Sequence, residues 1–183
     1  MFIRSVKTLV LAAALVLSFS LPAAAQQLGA GISFFEGAVG GTIDYSKAYK
    51  TLSNDRTLGW VGDVSFHHEG EDGVSVNWLS LQGGVRLTGK ASEKLRWHVQ
   101  GLVGILRGSA STDLGDVIED ICDDLDIDCD ASGSDTSFVF SPGAGIDYII
   151  DEKKAFRVQL DLPFNADNSG TRFWFGLSLN LGR

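Results

Sequence analysis

Large apolar residues recur at every second position over eight stretches of the chain, and small or polar residues fill the positions between them. The closing stretch FWFGLSLNL, from Phe173 to Leu181, is a clear example. A period of two residues is typical of β-strands whose two faces meet different surroundings. The predicted strands cover residues 28–36, 41–49, 58–68, 78–88, 95–107, 138–149, 155–164 and 171–181.

The breaks between these strands alternate in character. KTLSNDRT, GKASEK and DEKK are compact, whereas EGAVG, HEGEDG, ADNSG and the acidic segment 108–136 are mostly freer loops. Short turns on one side and longer loops on the other are typical of an antiparallel up-and-down barrel. Glycines within the strands favour the tight coiling of a small barrel. Pro142 lies within a strand, and we expect a bulge or irregular pairing there.

One face of each strand is apolar, and the opposite face is small or polar and carries charge. The charged positions on the second face are Asp44, Asp63, Arg86, Arg96, Asp147, Arg157, Asp161 and Arg172. In a soluble sandwich or lipocalin this face would be solvated, whereas in a membrane barrel it would line the lumen. Equal numbers of Arg and Asp, without Lys, favour a closed interior of ion pairs.

The aromatic residues of the apolar face lie near strand ends. One set is Tyr49, Trp60, Trp97, Tyr148 and Phe156, and the other is Phe34, Phe66, Phe138, Phe164 and Phe173. Two aromatic girdles around an aliphatic band are typical of a barrel that spans a bilayer. The pattern therefore predicts an all-β, eight-stranded antiparallel transmembrane barrel, with the first girdle on the periplasmic side.

The first 25 residues have the features of a secretory signal peptide. Arg4 and Lys7 precede an apolar core that is too short to span a bilayer, and three alanines follow Pro22. We predict cleavage after Ala25, which leaves residues 26–183 as one barrel domain.

The acidic charge is concentrated in segment 108–136, which holds ten acidic residues and neither Lys nor Arg. The rest of the exported chain is neutral, and without a basic patch nucleic acid is an unsuitable partner. Within the segment, apolar residues at helical spacing predict a short amphipathic helix in an outer loop. This helix would either fold over the barrel mouth or bind a surface partner whose identity the sequence does not specify.

Cys122 and Cys129 are the two cysteines of the chain. Export places them in an oxidising compartment, so we expect a disulfide between them, with two free thiols as the alternative.

The stretch DCDASGSD resembles the first half of a calcium loop, with candidate ligands Asp128, Asp130, Ser132 and Asp135. The position of the bidentate glutamate is taken by Val139, so the motif is incomplete. The alternative is a solvated acidic loop, bridged by divalent ions to lipopolysaccharide. Ca²⁺ is the single cofactor candidate.

Histidines are the remaining candidates for chemistry. His67 and His68 lie at the end of a predicted strand, and His98 faces the polar side. The sequence contains no recognisable set of nucleophile, base and orienting group, so we predict that the protein is not an enzyme. Eight strands enclose a lumen that side chains fill, which argues against a diffusion pore.

The segments LGAGISF, PGAGIDYII and KLRWHVQGLVGI, together with the closing strand, resemble the small eight-stranded OmpA-like barrels of the porin family in Gram-negative outer membranes. The resemblance implies an outer-membrane location, contact with lipid and lipopolysaccharide, and insertion by the barrel assembly machinery. Arg183 stands where this family usually has a terminal aromatic residue.

We therefore expect a non-enzymatic outer-membrane barrel with a structural or surface-interaction role. A narrow channel or small-ligand barrel is the first alternative, and a soluble periplasmic lipocalin-like binder is the second.

Overall fold

A computed structural model of the protein describes residues 26–52, 55–71, 74–112, 132–165 and 169–182. The predicted signal peptide, the helix of the acidic segment, Cys122, Cys129, Asp128 and Asp130 lie outside these residues. In the part of the chain that is described, no helix is long and apolar enough to cross a membrane.

Eight antiparallel strands form a closed barrel in which each strand pairs with its neighbours in sequence and β1 pairs with β8. The strands are β1 Gln26–Phe35, β2 Ala38–Leu52, β3 Arg56–Glu71, β4 Val74–Lys90, β5 Leu95–Thr112, β6 Ser132–Ile149, β7 Lys154–Asp161 and β8 Arg172–Asn180. The predicted fold class is confirmed, apart from the helical loop, which is not described.

The two ends of the barrel differ. The terminal end carries the start of β1, the end of β8 and the turns at 91–94 and 150–153. Leu52 at the end of β2 and Arg56 at the start of β3 also lie at the terminal end, and the other four connections lie at the loop end. Strands β3 to β6 are 16 to 18 residues long, whereas β1, β7 and β8 have 8 to 10 residues. The long strands therefore form a wall that rises above the rest of the barrel at the loop end.

The first hairpin is tighter than the sequence predicts. We expected β2 to begin at Gly41, but it begins at Ala38, directly after a two-residue turn at Glu36 and Gly37. Both residues have positive φ, 50° and 96°, as a type I′ hairpin turn requires. The predicted start at Gly41 is wrong because Glu36 and Gly37 alone complete the turn, so that Ala38, Val39 and Gly40 already pair with β1.

The irregularity expected at Pro142 lies on one side of its strand. The pairing of β6 with β5 runs through Pro142 without a register shift. On the other side, β7 ends at Asp161 instead of the predicted Phe164, and beyond it an isolated bridge joins Phe140 to Phe164. Proline has no N–H to donate to a ladder, so the regular pairing with β7 ends beside it.

Burial alternates along the strands, and the charged parity faces inward. The largest fully buried side chains include Trp174, Arg86, Arg157 and Leu102, so the core of the molecule is the barrel lumen. The exterior carries the apolar parity, with many large aliphatic and aromatic side chains more than a third exposed.

Candidate functional site

The lumen near the terminal end holds a cluster of buried charges around Arg157. Its Nε donates to Asp147 Oδ1 at 2.6 Å and its Nη1 donates to Asp44 Oδ2 at 2.7 Å. Arg86 Nη2 shares the same Asp44 oxygen at 2.5 Å. Arg96 lies at the edge of the cluster, where its Nη2 reaches Asp147 Oδ2 at 3.4 Å. This cluster ties β2, β4, β5, β6 and β7 together across the lumen.

A second cluster lies closer to the loop end, around Arg172. Its Nη1 donates to Asp63 Oδ1 at 2.6 Å, and its Nη2 donates to Asp161 Oδ2 at 2.8 Å. Ser65 Oγ accepts a further bond from Nη1 at 3.0 Å. All these groups are buried, and charge-assisted bonds of this kind offset the cost of removing charges from water when the geometry is good.

Amide side chains connect the two clusters. Gln100 Oε1 accepts from Arg86 Nε at 2.8 Å, and Gln100 Nε2 donates to Asp161 Oδ1 at 2.8 Å. Gln159 Nε2 donates to Asp161 Oδ2 at 2.8 Å, and its Oε1 lies 2.9 Å from His98 Nε2. The eight charged residues singled out from the sequence therefore belong to one inward-facing network that fills the middle of the lumen.

The aromatic residues singled out from the sequence lie on the exterior. Nine of the ten have exposures of 38% to 66%, and Trp97 is half-buried. Tyr49 stacks on Trp60 with ring centroids 5.2 Å apart, and Arg56 Cζ lies 5.9 Å from the Trp97 ring. Between the two sets, outward positions of β1 and β3 to β8 carry no charged side chain in the described residues, and on β2 Lys47 lies level with Trp60.

The height of the uncharged band can be estimated from β5. From Leu95 to Ile105 the strand makes ten steps. At about 3.3 Å per residue and a tilt of about 40°, these steps rise about 25 Å, the height of the apolar band of outer-membrane barrels.

A buried serine–histidine pair was not predicted from the sequence. Ser33 Oγ lies 2.7 Å from His67 Nε2, and Phe35 covers the imidazole with ring centroids 5.6 Å apart. Ser33 and His67 both pair with Gly40 on β2, which lies between them. A Cβ atom at Gly40 would collide with the backbone of Phe66 and His67, so this glycine allows the close approach.

The other candidates have simpler surroundings. His68 lies on the exterior, where its Nδ1 is 2.9 Å from Asn77 Oδ1. Of the calcium candidates, Ser132 begins β6 and Asp135 is exposed on the same strand. Among the described residues, no group of three His, Cys, Asp or Glu side chains could hold a metal ion. The calcium loop stays a prediction, because two of its ligands lie outside those residues.

No protein-family model and no curated protein matches the sequence. Solved structures do match the fold. Neisserial surface protein A is 9% identical, with 86% of this chain and 96% of that chain covered and a TM-score of 0.57. A second match is Ail, the attachment invasion locus protein of Yersinia pestis, in complex with the heparin analogue sucrose octasulfate. It is 11% identical, with 86% of this chain and 97% of that chain covered and a TM-score of 0.57.

Ail was also solved in a phospholipid bilayer nanodisc, and that structure is 14% identical over 86% of this chain and 99% of that chain, with a TM-score of 0.50. Closure by eight strands, the polar lumen and the apolar exterior agree with these similarities. The chain therefore has the fold of the small eight-stranded outer-membrane β-barrels.

Proposed function

We propose that this chain is an outer-membrane barrel with a structural or surface-interaction role and no enzymatic activity. The observation that carries the proposal is the polarity of the wall. Four Arg and four Asp residues line the inside, while the outside presents a continuous apolar band. A soluble protein rarely exposes apolar patches larger than a few hundred Å², whereas a bilayer favours such a surface.

The aromatic girdles support the same environment. Tyr and Trp are enriched where the headgroups begin, because their rings are apolar and their polar atoms can meet water. Tyr49, Trp60 and Tyr148 lie towards the terminal end of the band. We propose that this end faces the periplasm and that the loop end faces the cell exterior, after insertion by the barrel assembly machinery.

The lumen favours a sealed barrel over a narrow channel. Trp174 is fully buried, and Arg157 Cζ lies 5.9 Å from the centre of its ring. Together with the two ion-pair clusters, these side chains occupy the path that an ion would take. Planar-bilayer conductance of the purified barrel tests this point, and a stable unitary current would favour the channel.

The non-enzymatic assignment is supported by the surroundings of Ser33 and His67. Both side chains are buried beneath Phe35, so a substrate in the outer leaflet would not reach them. Among the described residues, no carboxylate hydrogen-bonds to His67 to orient it as a general base.

A surface role is supported by the extension of β5 and β6. Five residues follow Arg107 on β5, and at about 3.3 Å per residue they carry the chain about 16 Å further along the strand. The acidic segment that follows has no basic residue. We therefore expect a cationic partner, or lipopolysaccharide bridged by divalent ions, and not a polyanion such as the one in the Ail complex.

Membrane insertion is tested by extraction and gel migration. We expect the protein to need detergent for release from membranes and to migrate faster on a gel when it is not boiled, because a closed barrel resists unfolding by the detergent. A protein that is monomeric and soluble without detergent would instead support the soluble lipocalin-like binder.

A further inference from the structure

The inward face of the wall changes its chemistry at the loop end. Above the Arg172 cluster, large apolar and aromatic side chains face inward, and the charged side chains of the lining lie at the exposed rim. Phe35, Val76, Trp78, Leu106, Val139 and Pro163 line a cavity of about 630 Å³ there, which we call the vestibule. This volume is in the range of small-molecule sites, most of which have apolar walls and a few polar groups.

The aromatic wall of the vestibule is held in place by its neighbours. Trp78 pairs with Gly108 on β5, and a Cβ atom at Gly108 would come within 2.7 Å of the indole Cζ3 atom. Phe35 meets Trp78 edge-to-face, with ring centroids 5.6 Å apart and an interplanar angle of 79°. The rings therefore occupy fixed positions around the cavity, which lowers the entropic cost of binding a ligand between them.

The polar groups of the vestibule are hydroxyls and carboxylates. Ser137 Oγ accepts from Asn165 Nδ2 at 3.2 Å, and Glu36 Oε1 accepts from the Thr171 backbone N–H at 2.6 Å. Asp135 is exposed at the rim, and no described residue forms a hydrogen bond or ion pair with it. The described lining contains no Lys, Arg or His.

We propose that the vestibule binds a small amphipathic cation, with an aromatic or branched apolar body and an amine or quaternary ammonium group. The apolar body would pack against Trp78 and Phe35, whose ring faces also attract a cation. Asp135 and Glu36 would supply the negative charge. An anionic ligand is disfavoured, since it would lie beside these carboxylates without a cationic partner in the described lining. This inference goes beyond the membrane role and depends on the fold alone.

The test uses the four tryptophans as separate reporters. In ¹⁵N-labelled protein in detergent micelles, each indole N–H gives its own resonance, and Trp78→Phe identifies that of Trp78. Benzyltrimethylammonium is the cationic probe, and phenylacetate is an anionic probe of similar size. Trp60, which is 60% exposed on the exterior near the terminal end, reports any partition of a probe into the micelle.

We expect benzyltrimethylammonium to shift the Trp78 resonance saturably while the Trp60 resonance stays in place, and phenylacetate to leave both unchanged. Asp135→Lys should weaken the binding of the cation about tenfold. This corresponds to about 1.4 kcal/mol, a reasonable size for reversing one nearby charge. Glu152→Lys makes the same change in an exposed turn at the terminal end and should leave the affinity unchanged.

Three results would overturn the proposal. The first is an unmoved Trp78 resonance, which means that the cation does not bind in the vestibule. The second is a shift that Trp60 shares, which means partition into the micelle. The third is equal binding of the two probes, which means that the carboxylates do not select charge. Each of these results is read from the wild-type protein, with Trp78→Phe needed only to assign the Trp78 resonance, so the test does not depend on whether Asp135→Lys folds.

Discussion

The middle of the lumen and its loop end differ in the side chains that face inward. In the middle, the wall is closed on all sides and the inward side chains are ion pairs, such as Arg157 with Asp147 at 2.6 Å. At the loop end, β3 to β6 extend further than the other strands. The inward side chains there include Phe35, Trp78 and Val139. A closed section can shield ion pairs from water, whereas a section open on one side leaves room for a ligand beside its apolar wall. The first region is suited to holding the barrel together, and the second to accepting a ligand.

The largest effect should come from breaking the ion-pair network. Arg157→Met leaves Asp147 buried without its main partner and removes one of the two arginines that contact Asp44, so we expect the free energy of unfolding to fall by about 3–5 kcal/mol. Urea unfolding in detergent measures this loss, with the folded fraction read from the faster migration of the unboiled barrel on a gel. Arg56→Met, which removes an exposed guanidinium near Trp97, should cost less than about 1 kcal/mol. Equal losses in the two variants would show that the lumen charges do not act as a unit.

The next largest loss of stability should come from placing a charge on the outward face of the barrel. Leu81 faces outward between the two girdles and is 55% exposed. Leu81→Arg should destabilise the barrel in lipid by up to about 2–4 kcal/mol, because the charge would lie within the apolar band, where the cost rises towards the bilayer midplane. Asn77→Arg, on the same strand and face but nearer the loop end, should cost about 0–1 kcal/mol. Refolding into vesicles at increasing urea compares them, and an equally tolerated Leu81→Arg would contradict the lipid-facing band.

A smaller effect is expected at the boundary between the two regions. Ser33→Ala removes the partner of buried His67 Nε2, so we expect a loss of about 1–3 kcal/mol. Ser141→Ala is a matched control, because Ser141 is equally buried but its Oγ has no partner among the described residues. That control should be neutral or slightly stabilising. Thermal unfolding in detergent compares the two variants, and a Ser33→Ala protein as stable as wild type would mean that the pair is structurally unimportant.

The smallest effect should be at the rim of the vestibule. Asp135 is exposed and without a described partner, so Asp135→Asn should change the free energy of unfolding by less than about 0.5 kcal/mol. Asp161→Asn, which weakens the contact with Arg172, should cost several times more. If Asp135→Asn were as harmful as Asp161→Asn, the rim would be part of the structural network and not a free binding surface.

The fold could be predicted from the sequence because its determinants are local. Alternation such as that of Phe173 to Leu181 identifies both the strand and its outward face without knowledge of its neighbours. The short connections then limit the topology to consecutive antiparallel strands. Turn details were less predictable: Glu36 and Gly37 form a hairpin that begins β2 three residues earlier than expected.

The sites could not be predicted in the same way, because they depend on register. Ser33 and His67 are 34 residues apart in sequence, and they meet because both are level with Gly40. The vestibule was missed for another reason. The alternation predicts an inward face that is small or polar, but Phe35, Trp78 and Val139 share the inward parity near the loop end. Parity gives the face of a residue but not its height in the barrel.

Protease treatment of intact cells, followed by membrane fractionation, tests the central claim most directly. We expect the protein in the outer-membrane fraction, released by detergent alone, with cleavage confined to segment 108–136 and the remaining strands protected. Recovery of an uncleaved, soluble monomer from the periplasm without detergent would contradict the lipid-facing exterior and the charged lumen together.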